Sequence, residues 1–359
     1  LAVPCRDRFK AQSVTGLPNP IGDAFYVDYV AHEMGHEWGA NHTYNGDDGY
    51  CATGRSATAA YEPGSASTIM GYAGICDTHD LQEHSDAYFH PISFDEIVTY
   101  ATLGEGNTCA VITDTGNHPP EIISGSGDYT IPVNTPFTMT GSATDPDGDS
   151  LTYAWDGWDL GPAGPPPPLP DYVVPPNFRS FTATESPART FPRMYDIVNN
   201  VNTIGEILPL TDVSLHFRFT ARDNRVGGGG VNSAIYSINV TSAAGPFLVT
   251  APNTGDAWLT GQTQTVTWDV ANTTAEPVSC TEVSLDLSID GGYTYPISLL
   301  AATPNDGSQE ISVPSLVTST ARLRVSCLNN IFFDISDADF SIQGSVEESY
   351  KVFMPTLLK

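Results

Sequence analysis

The chain has 359 residues, of which 42 are acidic and 14 basic, giving a formal net charge of −28. This length is enough for two or three domains, each with its own core, and the negative charge would repel nucleic acid and anionic membrane surfaces. No stretch is apolar for long enough to span a bilayer. We therefore expect neither a nucleic-acid partner nor insertion into a membrane.

The first predicted element is a helix over residues 24–38, which follows a proline and a glycine and is capped by Asp23. One set of apolar residues recurs along it at helical spacing and should form its buried face. These residues are Val27, Ala31, Met34 and Trp38.

The end of this helix carries the motif HExxHxxGxxH. His32 and His36 lie one turn apart on one helical face, and Glu33 projects beside them. Gly39 can take the positive φ that ends a helix, which would return His42 to the same point. Three neutral imidazoles bind zinc and leave one position open for water. The motif therefore predicts a zinc hydrolase site. The alternative is a set of surface histidines on an amphipathic helix, which the added glycine and third histidine disfavour.

Residues 43–88 are rich in glycine, serine and aspartate, so we expect an irregular, disulfide-tied loop there. The loop contains Met70, flanked by small residues suited to a tight turn. A second helix of about ten residues should begin at Phe94, with Ser93 and Glu96 as its capping box. Three histidines in this region should be surface or capping residues and not metal ligands. They are His79, His84 and His90.

The histidine motif, the methionine and two further stretches, residues 39–45 and 61–65, carry a resemblance to a known group. The chain resembles the metzincin clan of zinc peptidases, and within it the reprolysin-like (M12B-type) domains of secreted bacterial multidomain proteins. This resemblance implies a zinc site, a general base and a Met-turn beneath the metal. The residues that take these roles are His32, His36 and His42 for zinc, Glu33 for the base and Met70 for the Met-turn.

The resemblance also bears on Tyr72, which stands two residues after Met70. Astacin-like and serralysin-like relatives have a metal-proximal tyrosine there, so Tyr72 either assists catalysis or packs its ring under the site. Metzincins also place a multistranded upper subdomain ahead of the zinc helix, and the residues before His32 are too few to form it. We therefore expect an N-terminally truncated metzincin domain, and the activity of such a chain is an open question.

Six cysteines without any CxxC motif suit disulfides and an oxidising compartment, which predicts a secreted protein. One pair brackets the first domain, a second brackets the segment between the zinc helix and the Met-turn, and a third lies alone near the C-terminus. The expected pairs are Cys5–Cys109, Cys51–Cys76 and Cys280–Cys327. Other pairings and free buried thiols are the alternatives.

Changes in composition predict a multidomain chain, with an α+β metzincin region followed by two all-β, immunoglobulin-like sandwiches. The predicted segments are a partial peptidase domain at 1–113, a sandwich at 118–241 with an insertion at 161–210, a second sandwich at 246–343 and a tail at 344–359. The insertion contains a run of prolines at 165–168. It is either an ordered elaboration or a loop with polyproline II character.

Several patterns support the two sandwiches. Residues 151–155 and 215–219 alternate apolar with polar positions, and so do Val266, Trp268 and Val270 in the last domain. Residues 290–292 should form a hairpin turn. The tail includes the apolar segment 352–355, which is too short for a membrane anchor.

An acidic turn concentrates Asp145, Asp147 and Asp149 within five residues, which is a plausible oxygen cage for calcium. It departs from an EF-hand because Ser150 stands where that loop needs glycine. The segment resembles the DxDGD turns of bacterial cadherin-like repeats, some of which bind calcium. An ordinary acidic turn without metal is the alternative, since aspartate and glycine favour turns by themselves.

These patterns predict a zinc-dependent endopeptidase acting on protein or peptide substrates. Zinc would lower the pKa of water toward about 7, and Glu33 would accept its proton as general base. The competing hypothesis is an adhesion or binding protein whose peptidase region is inactive and whose β-sandwiches bind a surface or polymer.

Overall fold

The computed structural model describes residues 2–9, 13–166 and 175–344. Most of its regular structure is β-sheet. Its α-helices are α1 (Asp23–Phe25), α2 (His32–Glu37), α3 (Pro91–Thr102) and α4 (Met194–Asn199). Its strands are β1 (Glu121–Gly125), β2 (Tyr129–Pro132), β3 (Phe137–Thr144), β4 (Thr152–Gly157), β5 (Ala188–Phe191), β6 (Val213–Arg222), β7 (Val231–Thr241), β8 (Leu248–Ala251), β9 (Ala257–Leu259), β10 (Thr263–Asp269), β11 (Glu282–Ser288), β12 (Ile297–Pro304), β13 (Ser308–Ser312), β14 (Thr318–Cys327), β15 (Phe333–Ile335) and β16 (Phe340–Gln343).

The predicted zinc helix is one helical run in which a π-helical stretch, Tyr26–Ala31, separates α1 from α2. The predicted cap, Asp23, is wrong by one position, because Gly22 precedes the helix with a φ of 86° and Asp23 is the first helical residue. Its carboxylate therefore lies in the first turn, where it complements the positive end of the helix dipole.

The π-helical stretch explains why one predicted core residue is wrong. Val27 and Ala31 pack against the buried core around Met70, as expected. Met34, however, is 53% exposed. Each residue of a π turn advances the helix by a smaller angle than an α-helical residue does. Positions after the stretch are therefore rotated away from the face that positions before it occupy.

Helix α3 begins three residues before its predicted start, and its cap is different. His90 is the N-cap, with its Nδ1 accepting a hydrogen bond from the Ile92 backbone N–H at 3.2 Å, and Pro91 follows as the first helical residue. The expected capping box of Ser93 and Glu96 is wrong because proline, whose φ is already helical, starts the helix upstream of it. Ser93 is instead buried inside the first turn.

The part of the chain before β1 is called the first module. Apart from its helices it is irregular, as predicted for residues 43–88. Short 3₁₀ turns, Gly49–Ala52 and Asp77–His79, are its main local structure. The three disulfides of the structure are the expected pairs. Within the described residues, no helix has the length and apolarity to cross a membrane.

The second module contains strands β1–β7. It packs two sheets face to face, with strand orders β1-β3-β5 and β2-β7-β6-β4. Residues 151–155 and 215–219, predicted as strands, overlap β4 and β6. The inner faces are aromatic, and burying each ring stabilises the module by roughly 1.5–3 kcal/mol. The buried rings include Phe137, Trp155, Phe191, Phe217 and Phe219.

The third module contains strands β8–β16. Its sheets have the strand orders β13-β10-β8 and β12-β11-β14-β16-β9, with β15 paired beside β14. Val266 and Trp268 are buried and Val270 packs against the same core, as their alternation predicted. Residues 290–292 lie in the connection between β11 and β12, where a turn was predicted. An isolated bridge between Phe137 and Phe332 joins this module to the second.

The insertion at 161–210 is ordered wherever the structure describes it, since it contributes β5 and α4. The last two prolines of the run 165–168, the tail after residue 344 and its segment 352–355 lie outside the described residues.

The first and second modules are packed together through side chains. The Trp158 ring stacks on the Tyr61 ring at 4.4 Å between centroids and on the His90 ring at 5.8 Å. Arg218 covers Trp158 and forms a two-point ion pair with Asp95, one of whose contacts is 2.8 Å. The two modules therefore share a polar and aromatic interface.

Candidate metal centre

The turn after α2 brings the three motif histidines together. Gly39 has a φ of 97°, the left-handed conformation that glycine adopts most easily, and the chain then reverses toward the helix. The Nε2 atom of His42 lies 2.9 Å from Nε2 of His36 and 3.3 Å from Nε2 of His32. The predicted ligand atoms therefore converge on one point.

The other ring nitrogen of each histidine faces a backbone carbonyl. The Nδ1 atom of His32 lies 2.8 Å from the Ile69 oxygen, and that of His36 lies 2.7 Å from the Ala40 oxygen. The Nδ1 atom of His42 lies 2.6 Å from the oxygen of Gly54. A carbonyl only accepts, so each neutral ring must carry its proton on Nδ1.

This tautomer leaves three Nε2 lone pairs facing one another, and such an arrangement is repulsive without a cation between them. Burial lowers the pKa of His32 to about 3, with the charge of His36 adding to the effect. Burial likewise lowers the pKa of His42 to about 4. Protonation of these two rings therefore does not supply the cation at neutral pH. The donor set fits zinc, which binds neutral imidazole nitrogens.

Helix α3 holds the segment between Gly39 and His42. The carboxylate of Glu96 accepts hydrogen bonds from the Asn41 backbone N–H at 2.7 Å and from the Asn41 side-chain amide at 2.6 Å. Sequence reasoning assigned Glu96 to a helix cap and missed this role. The partner of Glu96 is 55 residues away in sequence, so no local pattern signals this contact.

Met70 lies fully buried beneath the site, in a core formed with Ala40 and Ile69. A Cβ atom added to Gly35 would overlap the Met70 sulfur. Any side chain larger than glycine at this position would therefore require Met70 to move. Sequence reasoning did not single out Gly35, because nothing in the motif spacing shows which atoms approach the helix.

Tyr72 lies beside the histidines. Its ring centroid is 4.5 Å from that of His42 and 5.6 Å from that of His32, and its ring also stacks on Tyr44 at 4.7 Å. Burial, followed by the charge of Glu33, raises the pKa of Tyr72 above its usual range. The ring thus packs under the site and the phenol keeps its proton, so the structure is compatible with both predicted roles.

A cavity of about 400 Å³ opens directly beside His32 and Glu33. Its walls combine aromatic and acidic side chains, and Tyr72 is one of them. On its far side Asp28 pairs with Nδ1 of His84 at 2.8 Å. His32 and Glu33 therefore both border a space large enough for a side chain of a bound peptide.

The acidic turn is a second group of metal-ligating side chains. Oxygen atoms of Asp145, Asp147 and Asp149 lie within 4.8 Å of one another. Hydrogen bonds from His118, first from its backbone N–H, hold the pKa of Asp147 below its usual range. Arg225 lies 3.5 Å from Asp147 and 3.8 Å from Asp149. Asp147 therefore stays ionised at neutral pH, and the turn already has one cationic neighbour.

The remaining predicted histidines are not part of the cluster. His90 caps α3 and is fully buried, His84 pairs with Asp28, and His79 is buried beside Asp47 at 3.5 Å. His90 is the capping residue and His84 the surface residue that were expected, whereas His79 is buried without capping a helix, so the expectation is wrong for His79.

One family model matches the first module. Residues 4–100 match the family described as Metallo-peptidase family M12B Reprolysin-like. This region is reprolysin-like. The match includes all three clustered histidines and Glu33, but it covers well under half of the chain. No curated protein matches the chain.

Solved structures similar to the chain include immunoglobulin repeats. The tandem Ig repeats of Dlar have a TM-score of 0.31 and 13% identity, over 64% of this chain and 100% of that one. The N-terminal Ig1-2 module of the Drosophila receptor protein tyrosine phosphatase DLAR gives a TM-score of 0.30, with the same identity and coverage. Bacteroides ovatus SGBP-B, solved with a mixed-linkage heptasaccharide, gives 0.18 at 11% identity, over 63% of this chain and 48% of that one. These scores are too low to support an inference about function.

Proposed function

We propose that the chain is a zinc-dependent endopeptidase that hydrolyses internal bonds of protein or peptide substrates. One observation carries the proposal. The Nε2 atoms of His32, His36 and His42 meet at one point, while every Nδ1 is fixed by a carbonyl. The match of residues 4–100 to a metallopeptidase family supports the same conclusion.

Zinc, when bound by the three histidines, supplies a Lewis acid that acidifies water and polarises a substrate carbonyl. Glu33 accepts the proton of the attacking water and returns it to the departing amine. Tyr72 keeps its phenolic proton because burial raises its pKa, so it can donate a hydrogen bond to the developing oxyanion. The cavity beside Glu33 receives a side chain next to the scissile bond.

We further propose that the protein acts outside the cell. Its three disulfides support this proposal, since such bonds form and persist in oxidising compartments.

The test compares hydrolysis of fluorescent casein by the chain and by two variants, together with their zinc content. Glu33→Ala should retain zinc and lose activity by about 10²–10⁴-fold, because it removes only the general base. His36→Ala should lose zinc and activity together. Normal hydrolysis by Glu33→Ala would refute the role of Glu33 as general base.

The same assay separates the proposal from the alternative of an adhesion or binding protein. Zinc that is bound without any hydrolysis in the unaltered chain would favour that alternative. The function would then be sought in the second and third modules.

The acidic turn supports a calcium site between Asp145 and Asp149. One carboxylate oxygen of each, Oδ2, is buried without a hydrogen-bond partner. Such oxygens are the ligands that calcium prefers. Arg225 offsets part of the charge, so the proposed site is a weak one.

A further inference from the structure

We propose that the second module positions the third zinc ligand, through Arg55 and Asn45. The inference rests on the proposed zinc site but not on the hydrolytic activity. It concerns the segment that follows His42 and the part of the insertion, residues 161–164, that lies against it.

The orientation of His42 depends on a loop. Its Nδ1 atom bonds to the carbonyl of Gly54, which is exposed and has a φ of 87°. Nothing in helix α2 holds this carbonyl in place. The Tyr44 hydroxyl donates to the Thr53 oxygen at 2.6 Å and supplies one anchor. Arg55, the residue after Gly54, supplies the second.

Arg55 connects the two ends of this loop to each other. Its Nε and Nη2 atoms donate to the side-chain oxygen of Asn45, at 3.0 Å and 2.7 Å. Asn45 lies three residues after His42 and is buried. The guanidinium therefore closes the loop directly behind the third histidine.

The same two side chains reach into the second module. Arg55 Nη2 donates to the Gly161 oxygen at 2.8 Å, and the Asn45 side-chain amide donates to the Pro162 oxygen at 2.7 Å. The backbone N–H of Gly164 donates to the backbone carbonyl oxygen of Asn45 at 3.1 Å. Every polar group of the Asn45 side chain is thus satisfied by Arg55 or by the insertion.

A second contact holds the opposite side of the site. The hydroxyl of Ser67, which precedes the Met-turn, donates to the Ser180 oxygen at 2.9 Å. The buried carboxylate of Glu62 accepts from the Ser67 backbone N–H at 3.0 Å and from the Thr68 hydroxyl. The insertion therefore touches both chain segments that surround the histidines, and the second module forms part of the support of the metal centre.

Groups that orient a metal-binding histidine typically change metal affinity by about 10–100-fold when they are removed. We expect Arg55→Ala to raise the zinc dissociation constant by a factor in this range, because the Gly54 carbonyl is no longer fixed. Arg55→Lys should change zinc affinity in the same direction, since lysine lacks the Nε donor to Asn45 and its ammonium does not extend as far as Nη2, the atom that bonds both the Asn45 and the Gly161 oxygen. It also keeps the charge and most of the side chain, which protects the fold.

The experiment measures zinc affinity of the full chain by competition with a chromophoric chelator, and the visible spectrum after Co²⁺ substitution. Asp95→Ala is the matched control, because it breaks the Arg218 ion pair between the same two modules away from the loop. We expect weaker zinc binding and an altered Co²⁺ spectrum in both Arg55 variants. Asp95→Ala should keep the affinity and spectrum of the unaltered chain.

Three outcomes would overturn the inference. Unchanged zinc affinity in both Arg55 variants would show that the loop needs no support from Arg55. An equal loss of zinc affinity in Asp95→Ala would show that any disruption of the interface between the first and second modules has the same effect. Failure of the unaltered chain to bind zinc would refute the proposed function as well, so the two failures are distinguishable.

Discussion

The sulfur of Met70 lies inside van der Waals contact distance of the position that a Cβ atom on Gly35 would take, and the Phe89 ring is 3.2 Å from the same position. We therefore expect Gly35→Ala to destabilise the chain by roughly 1–3 kcal/mol, the usual cost of overpacking a core. Urea unfolding of the unaltered chain and of Gly35→Ala measures this difference in stability.

The double variant with Met70→Ala is the control for this prediction. Removing the sulfur should recover part of the loss that Gly35→Ala causes, because the two changes share one contact. Additive losses would show that the Met70 sulfur is not the cause.

Tyr72→Phe separates the two roles of this residue. If the phenol stabilises the oxyanion, kcat should fall by about 10²–10³-fold, the usual effect of losing one such donor. Zinc affinity should be unchanged, because the ring contacts with His42 and Tyr44 remain. A kcat equal to that of the unaltered chain would leave Tyr72 with packing alone. Tyr72→Ala, which removes the ring as well, reports on that contribution.

Calcium should raise the melting temperature of the chain, and a calcium chelator should lower it. Asp149→Asn should abolish this difference, because it removes one of the two buried oxygens without a partner. Asp306→Asn, an exposed aspartate in another turn, is the matched control and should keep the full calcium response. Identical melting with calcium and with chelator would identify the segment as an ordinary acidic turn.

Stability should depend on pH through Asp334. Burial raises the pKa of this carboxyl to about 7, although its Oδ2 atom accepts a hydrogen bond from the Val249 backbone N–H at 2.6 Å. The folded state then holds a proton that the unfolded chain, with a pKa near 4, has lost. The contribution of Asp334 is therefore fully present below about pH 4 and lost as pH rises to about 7.

The check is the difference in unfolding free energy between the chain and Asp334→Asn at several pH values. Other acidic groups titrate in both proteins, so the difference isolates Asp334. It should change by up to roughly 1.4 kcal/mol per pH unit in this window and be constant above it. A difference in unfolding free energy that stays constant from pH 4 to pH 7 would contradict the raised pKa of Asp334.

The metal centre could be predicted from sequence to the extent that its geometry is local. The spacing of His32 and His36 on one helical turn, and the turn at Gly39, depend only on neighbouring residues. The carbonyls of Ile69 and Gly54, which set the histidine tautomers, belong to distant irregular segments. No residue type signals which carbonyl faces a ring, so these partners became visible only in the structure.

Local signals also competed with one another. The capping box at Ser93 was a valid pattern, but Pro91 began the helix earlier. The spacing that predicted a buried Met34 assumed a uniform helix, which the π-helical stretch breaks. The β modules were easier to predict, because alternation in residues such as Val266 and Trp268 reports a buried face directly. The order of the insertion could not be predicted, since it depends on residues distant in sequence, as in the pairing of β5 with β3.

The stack of Trp158 on Tyr61 and His90 has an optical consequence. The chain has five tryptophans, but Trp158 is the one whose ring is held between another module and the guanidinium of Arg218. Its fluorescence is therefore sensitive to quenching by these neighbours, and separation of the two modules would change its emission before either core unfolds. Trp158 is therefore an intrinsic fluorescent reporter of contact between the two modules. The Trp158→Phe variant gives the emission spectrum of the chain without this tryptophan.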